Sequence, residues 1–401
     1  MPEKLTKNDY LAAFEAFAMY LLTGAACIVL GSAMSQLISH YHSTLSAIAA
    51  FTSAFSLGRL ITVFGTGYLT ERIGTKWIFA SGTVLLAVFL VGVPLTTNYY
   101  LGLVFCAVGG AGMGAQDACC PVILSSVFPK SYESAMSAGQ GLFCAGCFIS
   151  PLIMSLVLSR NLSFSYAFYA VVVLAVIMLS VLPFVKLPAV ICQDNGGESF
   201  ADAIKLKNKI IGYVALIVAC MAYCGIVNTI NTFTTTFAES IGMSAATSNS
   251  LLSSYNIGCM VGSIAFIFIL RKIKGSTVLW CNTAGSLALM VAAVVFNSIE
   301  IYFAALFLIG CCLGVLFSIY ITLATRLNPE HPSLAAAVIA VACGVTDALT
   351  PLGVSVVVTS HGAASAYNIV ILLLIVCLVM SILFQTMIKR NSEKIEKESY
   401  Q

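Results

Sequence analysis

The sequence predicts an all-α integral membrane protein of twelve transmembrane helices, arranged as two six-helix halves of the same orientation. Three observations predict it. Hydrophobic residues make up 60% of the 401, charged residues only 9%, and mean hydropathy is +0.99; in a soluble domain about a quarter of residues are charged. Twelve apolar stretches are each long enough to cross a bilayer, which takes about 20 residues of helix. The second half also repeats the first at an offset of 200: Gly58, Gly110, Gly114, Pro129 and Pro151 return as Gly258, Gly310, Gly314, Pro329 and Pro351. With 30 Gly and 10 Pro in the chain, chance would supply roughly one glycine match and about a tenth of a proline match. The flanks agree, since Pro151-Leu152 and Ser155 recur as Pro351-Leu352 and Ser355.

The elements follow in order. The first span, about 10–38, is too long for a signal-peptide core and lacks a small-residue cleavage site, so it is retained as a helix. The second, about 43–69, ends in a loop rich in glycine and charge. The third, about 77–95, opens on Trp77, an interface anchor like Trp280 at the start of the ninth. Spans at about 99–128, 131–158 and 163–186 complete the first half, residues 1–186. Residues 187–208 carry Gln193-Asp194-Asn195-Gly196-Gly197-Glu198 and then Lys205 and Lys207, and read as a linker. The second half, 209–388, holds spans at about 209–238, 244–270, 276–297, 299–326, 331–358 and 363–388, and 389–401 is a charged tail.

Orientation comes from the basic residues. With a cytoplasmic N-terminus, 17 of the 19 Lys and Arg fall on the inside; Arg160 lies outside and Arg59 within a span. This asymmetry places both termini in the cytoplasm of a multi-pass plasma-membrane protein. The net charge of +3 therefore reports topology and implies no nucleic-acid partner. Of 15 Cys, all but Cys192 lie in the spans, where they read as small hydrophobes at helix contacts. No Cys/His grouping has zinc-ligand spacing, so no metal or other cofactor is expected. No nucleophile–base pair or nucleotide loop points to an enzyme, and the lack of a P-loop argues against direct ATP drive. His40, His42, His331 and His361 all fall in loops, where a solvated side chain is the default.

Clear of the span ends, only Glu15, Arg59, Asp117 and Asp347 place a charge inside a span, where each costs several kcal/mol unless paired, hydrated or neutralised. Glu15 lies little more than a turn into the first span and is expected to reach the cytoplasmic interface. Arg59 and Asp117 both lie roughly 15 Å from that side, counted at 1.5 Å per residue, and can share a layer. Asp347 lies several ångströms further out. Among uncharged groups, Asn228 and Asn231 share a face of the seventh span at i, i+3. Gln36, Gln140, Asn256 and Tyr320 join them as candidate ligands of a small polar solute, the alternative for each being a helix-to-helix hydrogen bond.

Two parallel six-span halves resemble the major facilitator superfamily. The run Gly67-Tyr68-Leu69-Thr70-Glu71-Arg72-Ile73-Gly74-Thr75-Lys76 is similar to that superfamily's G-x-L-x-D-R-x-G-R-K loop, with Glu71 for the usual Asp and Thr75 for one base. Gly67, Glu71, Arg72, Gly74 and Lys76 then form a gating loop whose charges pair across the halves in one conformation. Gly112-Met113-Gly114-Ala115-Gln116-Asp117, with Pro121, Gln140 and Gly146, resembles the fucose permease group of proton-linked sugar transporters. That resemblance puts Asp117 at the group's coupling carboxylate; the group's first-span aspartate falls near Ser32, where this chain has none.

The superfamily resemblance implies a cavity lined by spans one, four, seven and ten and contact between the second span and the eleventh. The expected function is secondary active transport of a small polar solute by a monomer, with proton-coupled uptake. Asp117 carries the proton, Arg59 is its conditional partner and Asp347 the competing one; a permanent Arg59–Asp117 pair that fixes packing is the structural alternative. Proton-driven efflux of metabolites or drugs is a second functional reading, and a transporter-like ligand sensor a third. At the offset of 200, Arg59, Asp117 and Asp347 stand opposite Cys259, Phe317 and Cys147, so these charges belong to no repeated feature.

Overall fold

A computed structural model describes residues 6–129, 132–187, 206–270, 272–327 and 332–398. Its helices are α1 Lys7–Ser32, α2 Met34–His40, α3 Leu45–Ile73, α4 Thr75–Leu95, α5 Tyr99–Val127, α6 Tyr132–Ser159, α7 Ser165–Val181, α8 Leu206–Ser240, α9 Ala245–Ile269, α10 Gly275–Phe296, α11 Ile299–Leu313, α12 Leu316–Leu327, α13 Pro332–His361 and α14 Ser365–Glu398. The first crossing is interrupted at Ala33 and the tenth at Gly314, so the described helices make twelve crossings. Among the described residues eleven spans are both long and apolar enough to cross a membrane. The remaining crossing is α9, whose 25 residues reach about 37 Å at 1.5 Å each. The linker expected at 187–208 lies almost wholly outside the described residues.

Local chemistry sets the helix ends. Thr6 and Asp9 form a capping box at α1, with Thr6 N–H donating to Asp9 Oδ2 at 2.8 Å and Asp9 N–H to Thr6 Oγ1 at 3.3 Å. Asn98, Ser244 and Ser298 cap α5, α9 and α11 through their side-chain oxygens. Each cap satisfies backbone donors that the first turn leaves open.

The repeated glycines are a packing device. A Cβ on Gly58 would overlap the carbonyl of Ala107, one on Gly110 that of Phe55, and one on Gly114 would meet that of Arg59. In the second half Gly258 meets Phe307, Gly310 meets Tyr255 and Gly314 meets Cys259. Each second-half partner is its first-half partner plus 200. The same backbone-to-backbone approach thus joins α3 to α5 and α9 to α11, as small residues permit in membrane helices.

Each half closes on its own core. One cluster runs from Ala12 to Val185 and holds Met19, Leu22, Phe79, Phe89 and Phe168. The other runs from Ala215 to Phe384 around Tyr255, Tyr302, Tyr320 and Tyr367. The halves meet along α3 with α13, α6 with α9, and α1 with α8. Among the described residues, hydrogen bonds between them gather at the end of the bundle away from the termini. There Thr235 Oγ1 donates to Gly31 O at 2.8 Å, Ser46 Oγ meets Thr359 Oγ1 at 3.0 Å, Ser155 Oγ meets Ser250 Oγ at 3.1 Å, and Ser35 donates to the Glu239 carboxylate. Ala49, Phe233, Val354, Val358 and Ala366 seal the same end with apolar contacts.

Candidate functional site

Arg59 and Asp117 meet because α3 and α5 touch. Gly114 is one turn before Asp117 and abuts the Arg59 carbonyl, while Gly110 abuts the Arg59 backbone nitrogen. Arg59 Nε donates to Asp117 Oδ2 at 2.7 Å, the one ion pair among the described residues. A hydrogen bond of this charged kind contributes about 1.5–3 kcal/mol, less here because the side chains keep 37% and 32% of their exposure. That exposure leaves the pair reachable rather than sealed into the helix packing. It faces the axis between the halves, since Cys27 of α1, Asp347 of α13 and Cys343 of α13 all lie within electrostatic range of Arg59. The competing carboxylate therefore stands in the opposite half, with no direct bond to Arg59 in this conformation.

The polar seventh crossing lines the same region. Asn228 Nδ2 donates to the Asp347 backbone carbonyl at 3.4 Å and its Oδ1 accepts from Thr232 at 3.2 Å. Asn256 Nδ2 donates to Asn231 Oδ1 at 3.3 Å and to Leu252 O at 3.1 Å. Asn228, Asn231, Asn256 and Asp347 are thus brought together from α8, α9 and α13, and the two free faces of Asn228 and Asn231 remain half-buried.

Other nominated residues lie elsewhere. Tyr320 is fully buried in the core of the second half, its hydroxyl 3.1 Å from Cys377 Sγ and its ring 5.7 Å from that of Tyr223. These contacts join α12 to α14 and α8 within the second half. Gln36 sits in α2 beside Ser35, Ser39, His40 and Phe164 at the end away from the termini. Gln140 is exposed on α6. His40 is packed rather than solvated: its ring stands edge-on to Tyr41 and Phe164, and Nε2 lies 2.9 Å from Thr96 O.

Of the gating loop, the side chains of Gly67, Glu71 and Arg72 lie outside the described residues. Gly74 takes φ +92° at the start of α4, a conformation that favours glycine. Lys76 Nζ donates to Pro183 O at 3.1 Å and Val185 O at 2.8 Å, so it holds the turn that follows α7 in its own half.

Glu15 overturns its expectation. It is fully buried, and neither carboxyl oxygen has a hydrogen-bond partner among the described residues. It sits on the α1 face that also carries Ala12 and Met19, which packs inward against the first-half core. Depth along the span suggested the interface; azimuth around the helix decides otherwise. Sequence reasoning also missed Glu239, the inter-half partner of Ser35, and Cys27, which faces the charges. The cysteines are not dispersed either: Cys220, Cys224 and Cys343 bring their sulfur atoms within 4.8 Å of one another.

Comparison with known proteins gives this architecture a family. The model of the Major Facilitator Superfamily matches residues 16–351 and 215–399. The chain is 26% identical over 359 residues to the uncharacterized MFS-type transporter YfkL of Bacillus subtilis, covering 87% of this chain and 89% of that protein. It shares the fold of the MFS transporter FucP in its outward conformation, with TM-score 0.62, 16% identity, and 94% and 99% of the two chains covered. It likewise shares that of the peptide transporter POT in complex with sulfate, with TM-score 0.75, 12% identity and 94% of each chain covered. Twelve crossings in two glycine-packed halves, with the family match running through both, make this chain a membrane transporter that belongs to the Major Facilitator Superfamily.

Proposed function

We propose that the chain takes up a small polar solute together with protons, by alternating access in the plasma membrane with both termini cytoplasmic. The observation that carries this reading is the partly exposed Arg59–Asp117 pair in one half, with Asp347 of the other half within electrostatic range. An arginine between two carboxylates of separately moving halves is a bistable element: proton or solute at Asp117 releases it, and closure offers it Asp347. The amides of Asn228, Asn231 and Asn256 supply donors and acceptors for a hydroxylated, uncharged solute. The inter-half hydrogen bonds at the end away from the termini support a cycle in which the solute is released at the opposite, cytoplasmic end.

The test begins with a thermal-shift screen of the purified chain against sugars, polyols, organic acids and nucleosides. Any stabilising solute is then followed in proteoliposomes under an imposed pH gradient. Asp117→Asn is expected to abolish gradient-driven uptake while retaining solute counterflow, because exchange needs alternating access but no proton. Unchanged uptake against a gradient in that variant overturns the coupling. Stabilisation by lipophilic cations alone favours the efflux reading instead.

A further inference from the structure

Cys220 and Cys224 stand one turn apart on α8, and Cys343 approaches them from α13. The Sγ atoms of Cys220 and Cys343 are 3.3 Å apart, and all three sulfur atoms lie within 4.8 Å of one another. All three thiols are free and nearly inaccessible, with relative exposures of 0%, 7% and 5%. Gly225, the next residue on α8, faces Thr346 and Thr350 of α13, so the two helices run side by side at the trio.

We propose that these three thiols form a binding site for trivalent arsenic. Three sulfur ligands, with no fourth donor in the group among the described residues, suit a soft ion of low coordination number and disfavour zinc, which takes four. Burial discriminates further. A divalent or monovalent metal held by three thiolates leaves net negative charge between helices, where it is costly. Arsenous acid condenses with three thiols to a neutral trithiolate: As(OH)3 and three Cys–SH give As(S–Cys)3 and three water molecules. Three As–S bonds replace three As–O bonds, each thiol proton leaves in a water molecule, and nothing is oxidised or reduced. Arsenous acid is itself an uncharged, hydroxylated solute, matched to the half-buried amides one turn away. Cys224 precedes Asn228 by four residues, and Cys343 precedes Asp347 by four. An arsenic atom at the trio therefore staples α8 to α13 beside the polar layer.

The full-length chain, purified in detergent and reduced, is incubated with sodium arsenite, desalted and weighed by intact-mass spectrometry, with arsenic counted by elemental analysis. One arsenic per chain is expected, with the mass of one arsenic less three hydrogens, together with a rise in melting temperature. Cys281→Ser, at an exposed position on α10, leaves both unchanged. Cys220→Ser, Cys224→Ser and Cys343→Ser each weaken retention by at least about 100-fold, since the third thiol acts at high effective concentration. A second measurement needs no variant: maleimide labelling of unfolded, arsenic-loaded wild type leaves Cys220, Cys224 and Cys343 unlabelled. Arsenic retained by the Cys343→Ser protein, protection of a different set of cysteines, or no retention in wild type overturns the proposal.

Discussion

Arg59 has one bonded carboxylate and one within range, and Glu15 has no hydrogen-bond partner among the described residues. These are two ways to hold a charge-bearing group inside a membrane helix. A paired charge offsets its desolvation, whereas an unpaired buried one is tolerated only in a neutral form. Glu15→Gln keeps the shape and removes the capacity for charge, so its melting temperature is expected to equal or exceed that of wild type. Glu15→Lys, which forces a charge into the same packing, is expected to cost about 3 kcal/mol or more and to melt or misassemble early. A large drop for Glu15→Gln, read by thermal denaturation in detergent, means that the carboxylate makes an ionic contact. At this scale the charges Arg59 and Asp117 were legible, because a charge in an apolar span is rare enough to single itself out. The Asn228–Asn231 face was legible from helical spacing. Tyr320, Gln36 and the depth of Glu15 were not, since hydropathy reports position along a span and says little about which way a residue points. The thiol trio joins residues 119 positions apart, Cys224 and Cys343, and no local pattern links them.

Pairs of helices are set by glycine. Gly58, Gly110 and Gly114 dock α3 on α5, and their counterparts dock α9 on α11, so one contact geometry serves both halves while only the first carries the ion pair. Gly110→Ala puts a methyl group against the Phe55 carbonyl and the Arg59 backbone nitrogen, atoms that cannot rotate away. It is expected to cost about 1–3 kcal/mol and to loosen Arg59 from Asp117, with Gly310→Ala comparably destabilised. Gly141→Ala, where a Cβ meets nothing within 4 Å, leaves the melting temperature unchanged or raises it. Equal effects at positions 110 and 141 contradict the docking role. The offset of 200 made these contacts legible before any coordinates, because duplicated glycines mark duplicated close approaches. The breaks at Ala33 and Gly314 were not foreseen, since both crossings stay apolar through the interruption and only backbone geometry shows it. The gating loop is legible as a motif, yet Lys76 holds the turn after α7 within its own half, a contact that depends on how the half folds back on itself.

The whole molecule is two closed cores meeting along three helix pairs, tied together at the end away from the termini. If transport requires that end to part, locking it must stop the cycle. Ser46 and Thr359 face each other across the halves with oxygens 3.0 Å apart. A Ser46→Cys, Thr359→Cys double variant is expected to crosslink on mild oxidation and lose solute counterflow, and to recover it on reduction. Full transport in the crosslinked state contradicts alternating access through this interface. Twelve crossings in two parallel halves were legible from composition, span length and the repeat. The inter-half hydrogen bonds at the far end were not, because the states of such a transporter share one sequence and differ in a modest balance of contacts between the halves.

In the proposed cycle Asp117 and Arg59 tie solute movement to proton movement. The most direct measurement is the pH change driven by the solute itself, read with an entrapped pH-sensitive dye in proteoliposomes without an imposed gradient. With the stabilising solute added outside, wild type should acidify the lumen as solute enters, while Asp117→Asn vesicles should exchange solute without moving protons. Solute entry through wild type with no lumenal acidification, or equal acidification in the Asp117→Asn protein, would contradict the coupling.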